Sequence, residues 1–139
     1  MEYSIKFDGP PQDVTITTFG LADAEGLIGF VRDLVANPRF RPGMLILADH
    51  LSIDASRLTG ADVRAQASVV VGLAEQLGRS KVAIVVPTPL TFGYARMYEH
   101  HAVETQLESR VFYSRRDALA WLESERSSLG SQNVMPPPA

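Results

Sequence analysis

The chain has 139 residues, 45% of them hydrophobic and 21% charged, which suits one globular domain and excludes a disordered or fibrous chain. A net charge of −3 leaves no broad basic face for a phosphate backbone, so nucleic acid is not an expected partner. With no cysteine, disulfides, thiolate metal centres and cysteine nucleophiles are excluded together.

Taken in chain order, Tyr3, Ile5 and Phe7 alternate with polar residues, as do Val14, Ile16 and Thr18. Each pattern predicts a half-buried strand, and Gly9-Pro10-Pro11 breaks the chain between them. Leu27, Ile28, Val31, Leu34 and Val35 recur at helical spacing after Asp23 and Glu25, whose charge suits a helix N-terminus. Asn37-Pro38 ends that helix. The unbroken apolar run at 44–48, stopping at Asp49, predicts a strand covered on both faces.

Thr59 and Asp62 form a capping pair for a second helix, with Val63, Ala67, Val70, Ala74 and Leu77 on one stripe and Gly78 as its stop. Residues 82–86 predict another buried strand. Thr88-Pro89 opens a third helix that runs to about Val103, threonine capping and proline filling the first helical position. Residues 110–113 predict a last strand, and Ser114 caps a fourth helix that carries Ala118, Leu119, Trp121 and Leu122. The small and proline-rich residues beyond predict a folded domain over 1–125 and a flexible tail over 126–139.

The predicted fold class is therefore α/β: a mixed, mostly parallel five-stranded sheet with about four helices. Ligands in open sheets of this kind favour the carboxyl ends of the strands, here 49–56, 87–90 and 113–114. The N-terminus has no basic segment leading into an apolar one, and no apolar run is long enough for a bilayer, so a cytoplasmic location is expected.

The ordered set of segments Asn37-Pro38-Arg39-Phe40-Arg41-Pro42-Gly43, Val82-Ala83-Ile84-Val85, Phe92-Gly93-Tyr94-Ala95-Arg96-Met97, Arg110-Val111-Phe112 and Asp117-Ala118-Leu119-Ala120-Trp121-Leu122 resembles the SpoIIAA-like family, relatives of the STAS domains of anti-sigma-factor antagonists. The resemblance spans roughly residues 3 to 123. It implies a non-catalytic binding or regulatory domain without a cofactor, whose partners are an apolar small molecule, a lipid or another protein. In anti-sigma-factor antagonists a serine beside the next helix start is phosphorylated. The run from Asp49 to Ser56 is similar, so Ser56 is the candidate position for a phosphorylation-controlled partner switch. The antagonists carry Ser-Ser-Gly there; this chain has Ala55-Ser56-Arg57-Leu58, and its helix cap falls later, at Thr59.

In the third helix Tyr94, Met97, Tyr98 and His101 share one face, and Phe92 lies near the strand ends. Such a face is ordinarily core, but tyrosine and methionine are also the adaptable residues of a surface that accepts apolar partners. Phe92, Tyr94, Arg96, Met97 and Tyr98 are therefore the candidate ligand-binding residues, and the same face is a candidate homodimer contact. Arg96 would hold an acidic head group or, more simply, pair with Glu99. Arg39 and Arg41 around Phe40 offer a weak peripheral contact with an anionic membrane. Glu99, His100, His101 and Glu104 lack the spacing of a helical zinc motif, so no metal is expected. Asp49, His50 and Ser52 are neighbours in sequence, which does not make a catalytic triad.

Overall fold

The first two alternating segments form β1 (Glu2–Lys6) and β2 (Val14–Leu21), paired antiparallel with Ile5 opposite Ile16. β3 (Leu45–Asp54), β4 (Lys81–Val85) and β5 (Glu108–Phe112) then add in parallel, giving the strand order β1-β2-β3-β4-β5. This arrangement comes from a computed structural model that describes residues 1–133.

Successive parallel strands added in one direction, with right-handed crossovers, bring every connecting helix to the same face. α1 (Ala24–Ala36), α2 (Gly60–Gly72), the single turn α3 (Ala74–Leu77) and α4 (Pro89–His101) lie there. Their apolar stripes meet Val14, Ile16 and Ile46, and further along the sheet Ile84 and Val86. α5 (Arg115–Asn133) returns across the opposite face, where Ala118, Trp121 and Leu122 pack on Leu45, Leu47, Ala83 and Val85. The run at 44–48 is apolar at every position because its odd and even residues serve different cores.

Side chains placed for capping do cap. The Asp23 carboxylate accepts from Gly26 N–H at 2.6 Å. Thr59 and Asp62 bond reciprocally, as do Thr88 and Thr91. Ser114 Oγ accepts from Asp117 N–H at 3.1 Å.

Three features differ from the sequence expectation. β3 does not stop at Ala48 but continues to Asp54, with a bulge on the way. The second predicted helix is interrupted between Gly72 and Ala74, where Leu73 adopts φ −105° and ψ 17°, so the described residues form five helices and the third predicted one is α4. A glycine at the break costs helix stability and concentrates the change of direction there. Finally, helix α5 runs on to Asn133, past residue 125. Arg126 Nε donates to the Pro11 carbonyl and its NH2 group to Asp13, both at 2.6 Å, while Asp13 also accepts from Leu45 N–H at 2.8 Å. Arg126 thus joins α5 to the starts of β2 and β3. Residues 134–139, the remainder of the predicted tail, lie outside the described residues. Among the described residues no helix is long and apolar enough to cross a membrane.

Leu122, fully buried between α5 and the sheet, holds this second core. Leu122→Ala should lower stability by about 2–5 kcal/mol in urea unfolding, whereas Leu90→Ala, at an exposed site, should change it by less than about 0.5 kcal/mol. Equal effects would contradict the docking of α5 described above.

Candidate functional site

Where α1, α2 and α4 arch over the sheet, their side chains leave a cavity of about 100 Å³. β2, β3 and β4 form its floor and α4 covers it through Thr91, Tyr94, Ala95 and Tyr98. The wall is mainly apolar, and no charged residue lines it among the described residues.

The β3 bulge shapes the floor. Thr17 pairs with Asp49 and Phe19 with Ser52, so Thr18 alone faces the two residues His50 and Leu51. An extra residue in one strand shifts the side-chain alternation beyond it. Ile46, Ala48 and His50 line the cavity in phase, and Ile53 lines it again after the shift. His50 therefore enters the interior at the point where the β2–β3 register shifts. Its Nδ1 lies 2.6 Å from Thr18 Oγ1, and its ring packs on Phe30 with centroids 5.8 Å apart. Burial, only partly opposed by the Asp49 carboxylate, pushes its pKa down to about 4, so the imidazole is neutral at pH 7. Gln66, buried on α2, donates to the Leu27 carbonyl at 3.2 Å, one helical turn from Phe30.

The candidate residues on α4 divide. Tyr94 and Tyr98 line the cavity. Tyr94 OH donates to the Leu58 carbonyl at 2.8 Å, fixing α4 to the segment before α2. Burial first, and the Glu99 carboxylate second, raise the Tyr98 hydroxyl above the usual phenol range, so it too stays neutral. Met97 is half-buried and faces Gly60, making it a spacer between α4 and α2. Phe92 stacks on Tyr113, centroids 4.9 Å apart, at the carboxyl end of the sheet. Arg96 is exposed and its Nε sits 3.7 Å from Glu99 Oε1, the simple ion pair rather than a cavity anchor. The face of α4 that turns inward carries Thr91, Ala95 and Ala102 as well as the tyrosines, and His101 is exposed.

Ser56 is exposed in the turn after β3, where its N–H donates to Asp54 Oδ1 at 2.9 Å. That bond, and others from Ser56, hold the Asp54 carboxyl below the usual carboxylate range. In the loop before β3, Arg39 lies over the Phe7 ring at 5.7 Å and Phe40 packs inward against the core.

His50, Thr18 and Gln66 were not among the residues singled out as a binding site. The signal for His50 was its position two residues after Ala48, continuing an alternation that Asp49 obscured. Nothing local marks Gln66, which reaches the cavity only because α2 lies against α1.

The topology and packing are those of a SpoIIAA-like fold, an α/β sheet domain without a nucleotide-binding glycine loop. A solved structure shares it: an uncharacterized protein of the DUF3478 family with a SpoIIAA-like fold, from Shewanella loihica PV-4. The two are 20% identical, with a TM-score of 0.56 over 87% of this chain and 92% of that one. No protein-family model matches the chain, and no curated protein does.

The buried imidazole sets a pH dependence. Its folded pKa of about 4 lies below the 6.5 of an exposed histidine, so between these values the unfolded chain binds a proton that the folded chain does not. The stability tied to neutral His50 is complete above about pH 6.5 and is lost as pH falls, reaching about 3 kcal/mol near pH 4. Urea unfolding at pH 7 and at pH 4.5 should show that slope, and His50→Gln should flatten it. An unchanged slope in the variant would assign the pH dependence to other groups.

Proposed function

We propose that this domain is a non-catalytic binding module that takes a small apolar molecule in the cavity beneath α4. The observation that carries the reading is the cavity itself: a mainly apolar, half-open space between a rigid sheet and three helices, with a few neutral polar groups on its wall. Burial holds His50 uncharged at neutral pH and moves the Tyr98 hydroxyl further from ionising, which suits binding an uncharged molecule better than moving protons at neutral pH. The role of α4 as cover supports a regulatory output, because Tyr94 and Met97 tie it to the α2 side and occupancy would bear on that contact.

Volume narrows the occupant. An apolar cavity of roughly 150 Å³ accepts benzene, and pockets for drug-sized ligands run to about 300–1,000 Å³. At about 100 Å³ the cavity is smaller than that benzene site, so a ring-sized molecule would enter with small side-chain shifts and a lipid chain would fit only in part. A partner switch through Ser56 is the weaker reading. A phosphoryl group there would sit beside the Asp54 carboxylate and before the Thr59 cap, where it meets repulsion rather than the free N–H groups of α2.

Toluene at about ten times its dissociation constant should stabilise the native chain by about 1.4 kcal/mol, a rise in Tm of a few degrees. Ala95→Phe, which places a ring in the enclosure, should remove that shift while the protein stays folded by circular dichroism. No toluene response in the native chain would overturn the reading.

A further inference from the structure

The polar atoms on the cavity wall are unequally satisfied. Thr91 Oγ1 and Tyr94 OH already bond to backbone carbonyls. His50 uses Nδ1 on Thr18, and Gln66 uses its amide nitrogen on Leu27. This leaves His50 Nε2, Gln66 Oε1 and Tyr98 OH with no protein partner among the described residues. None of the three belongs to the unbonded side-chain atoms sealed from all open space, which are Gln12 Oε1 and Glu99 Oε1. All three residues line the cavity, and His50 and Gln66 are each only 9% exposed. They are also near one another in the fold. His50 packs on Phe30 and Gln66 bonds to Leu27, residues one turn apart on α1.

Unpaired polar atoms on a mainly apolar wall call for a partner, since a buried polar group without one costs about 1–3 kcal/mol. The partner's charge is restricted, because a charged molecule would be desolvated there with no counter-charge on the wall. Its hydrogen-bonding character is restricted as well. Gln66 Oε1 only accepts, so the occupant must donate. Thr18 Oγ1 can donate to His50 Nδ1 or, at 3.4 Å, to the Asp49 carbonyl, and the choice sets whether His50 Nε2 donates or accepts. A hydroxyl group donates and accepts at once, so it satisfies Gln66 and either form of His50.

We propose that the cavity selects an uncharged, ring-sized molecule bearing one hydroxyl group, a phenol or small cyclic alcohol, whose oxygen donates to Gln66 Oε1 and bonds to His50 Nε2 while its ring lies on the apolar wall. This rests on the cavity being a binding site, and it adds the chemical class. The bulge in β3 is then a recognition device: it admits one imidazole to the floor and restores the apolar phase at Ile53 directly afterwards.

Benzene, phenol and benzoate, titrated into the full native chain by calorimetry, separate the claims. Phenol should bind at least about tenfold more tightly than benzene, the equivalent of about 1.4 kcal/mol, and benzoate should not bind. His50→Phe and Gln66→Leu should each reduce phenol to the benzene level without weakening benzene. Should either variant fail to fold, the imidazole nitrogen shifts of His50 in the native chain give a second reading: Nε2 should respond to phenol and not to benzene. Benzene binding as tightly as phenol, with no response from His50, would overturn the hydroxyl assignment and leave the apolar site standing. Binding of none of the three would overturn both.

Discussion

The structure depends on sealing β3 and β4 from both sides. Leu45, Ile46 and Leu47 are each buried, the outer two against α5 and the middle one against α1 and α2. A strand with no solvent face tolerates no register slip, because moving by one residue would exchange the two cores. That rigidity gives the helix-side cavity a fixed floor. It also explains why α5 needs both its apolar face and the Arg126 contacts with Asp13 and Pro11: the α5-side core is smaller, and a charged clamp closes its end.

Against this background the bulge at His50 is informative. Along β2, β3 and β4 the helix-facing positions leading up to this point are apolar, and here the sheet spends an extra residue and brings in a neutral imidazole. Burying histidine lowers stability in mild acid, and filling the site with leucine or phenylalanine would avoid that cost. The imidazole is held by Thr18 on one nitrogen, which orients the ring against Phe30. The same economy applies to Gln66, anchored by its nitrogen and open at its oxygen.

Most of the fold was legible in the residues. Unbroken apolar runs marked the central strands, and threonine, serine and proline marked the starts of α2, α4 and α5, because capping is decided within four residues. The break at Leu73 was not legible, since Gly72 weakens a helix without dictating where it bends. The extent of β3 was missed because Asp49 looks like a strand end. Its carboxylate is instead satisfied by Arg115 from α5 at 2.9 Å and by Leu51 N–H, two residues on in the same strand, at 3.0 Å. The candidate site was half legible. Tyr94 and Tyr98 follow from helical spacing, but whether Met97, Arg96 or Phe92 joins them depends on how α4 is rotated against the sheet, and that rotation is set by the small residues Ala95 and Ala102. His50 and Gln66 come from different elements, and only the packing of α1 on both brings them to one place.

The most direct test is an experimental density map of the cavity in crystals of the protein as purified, followed by xenon pressurisation. The account predicts an ordered occupant or xenon in the enclosure beneath α4, with His50 Nε2 and Gln66 Oε1 directed into it. Side chains collapsed into the space, excluding xenon and bonding His50 Nε2 to the protein, would contradict it.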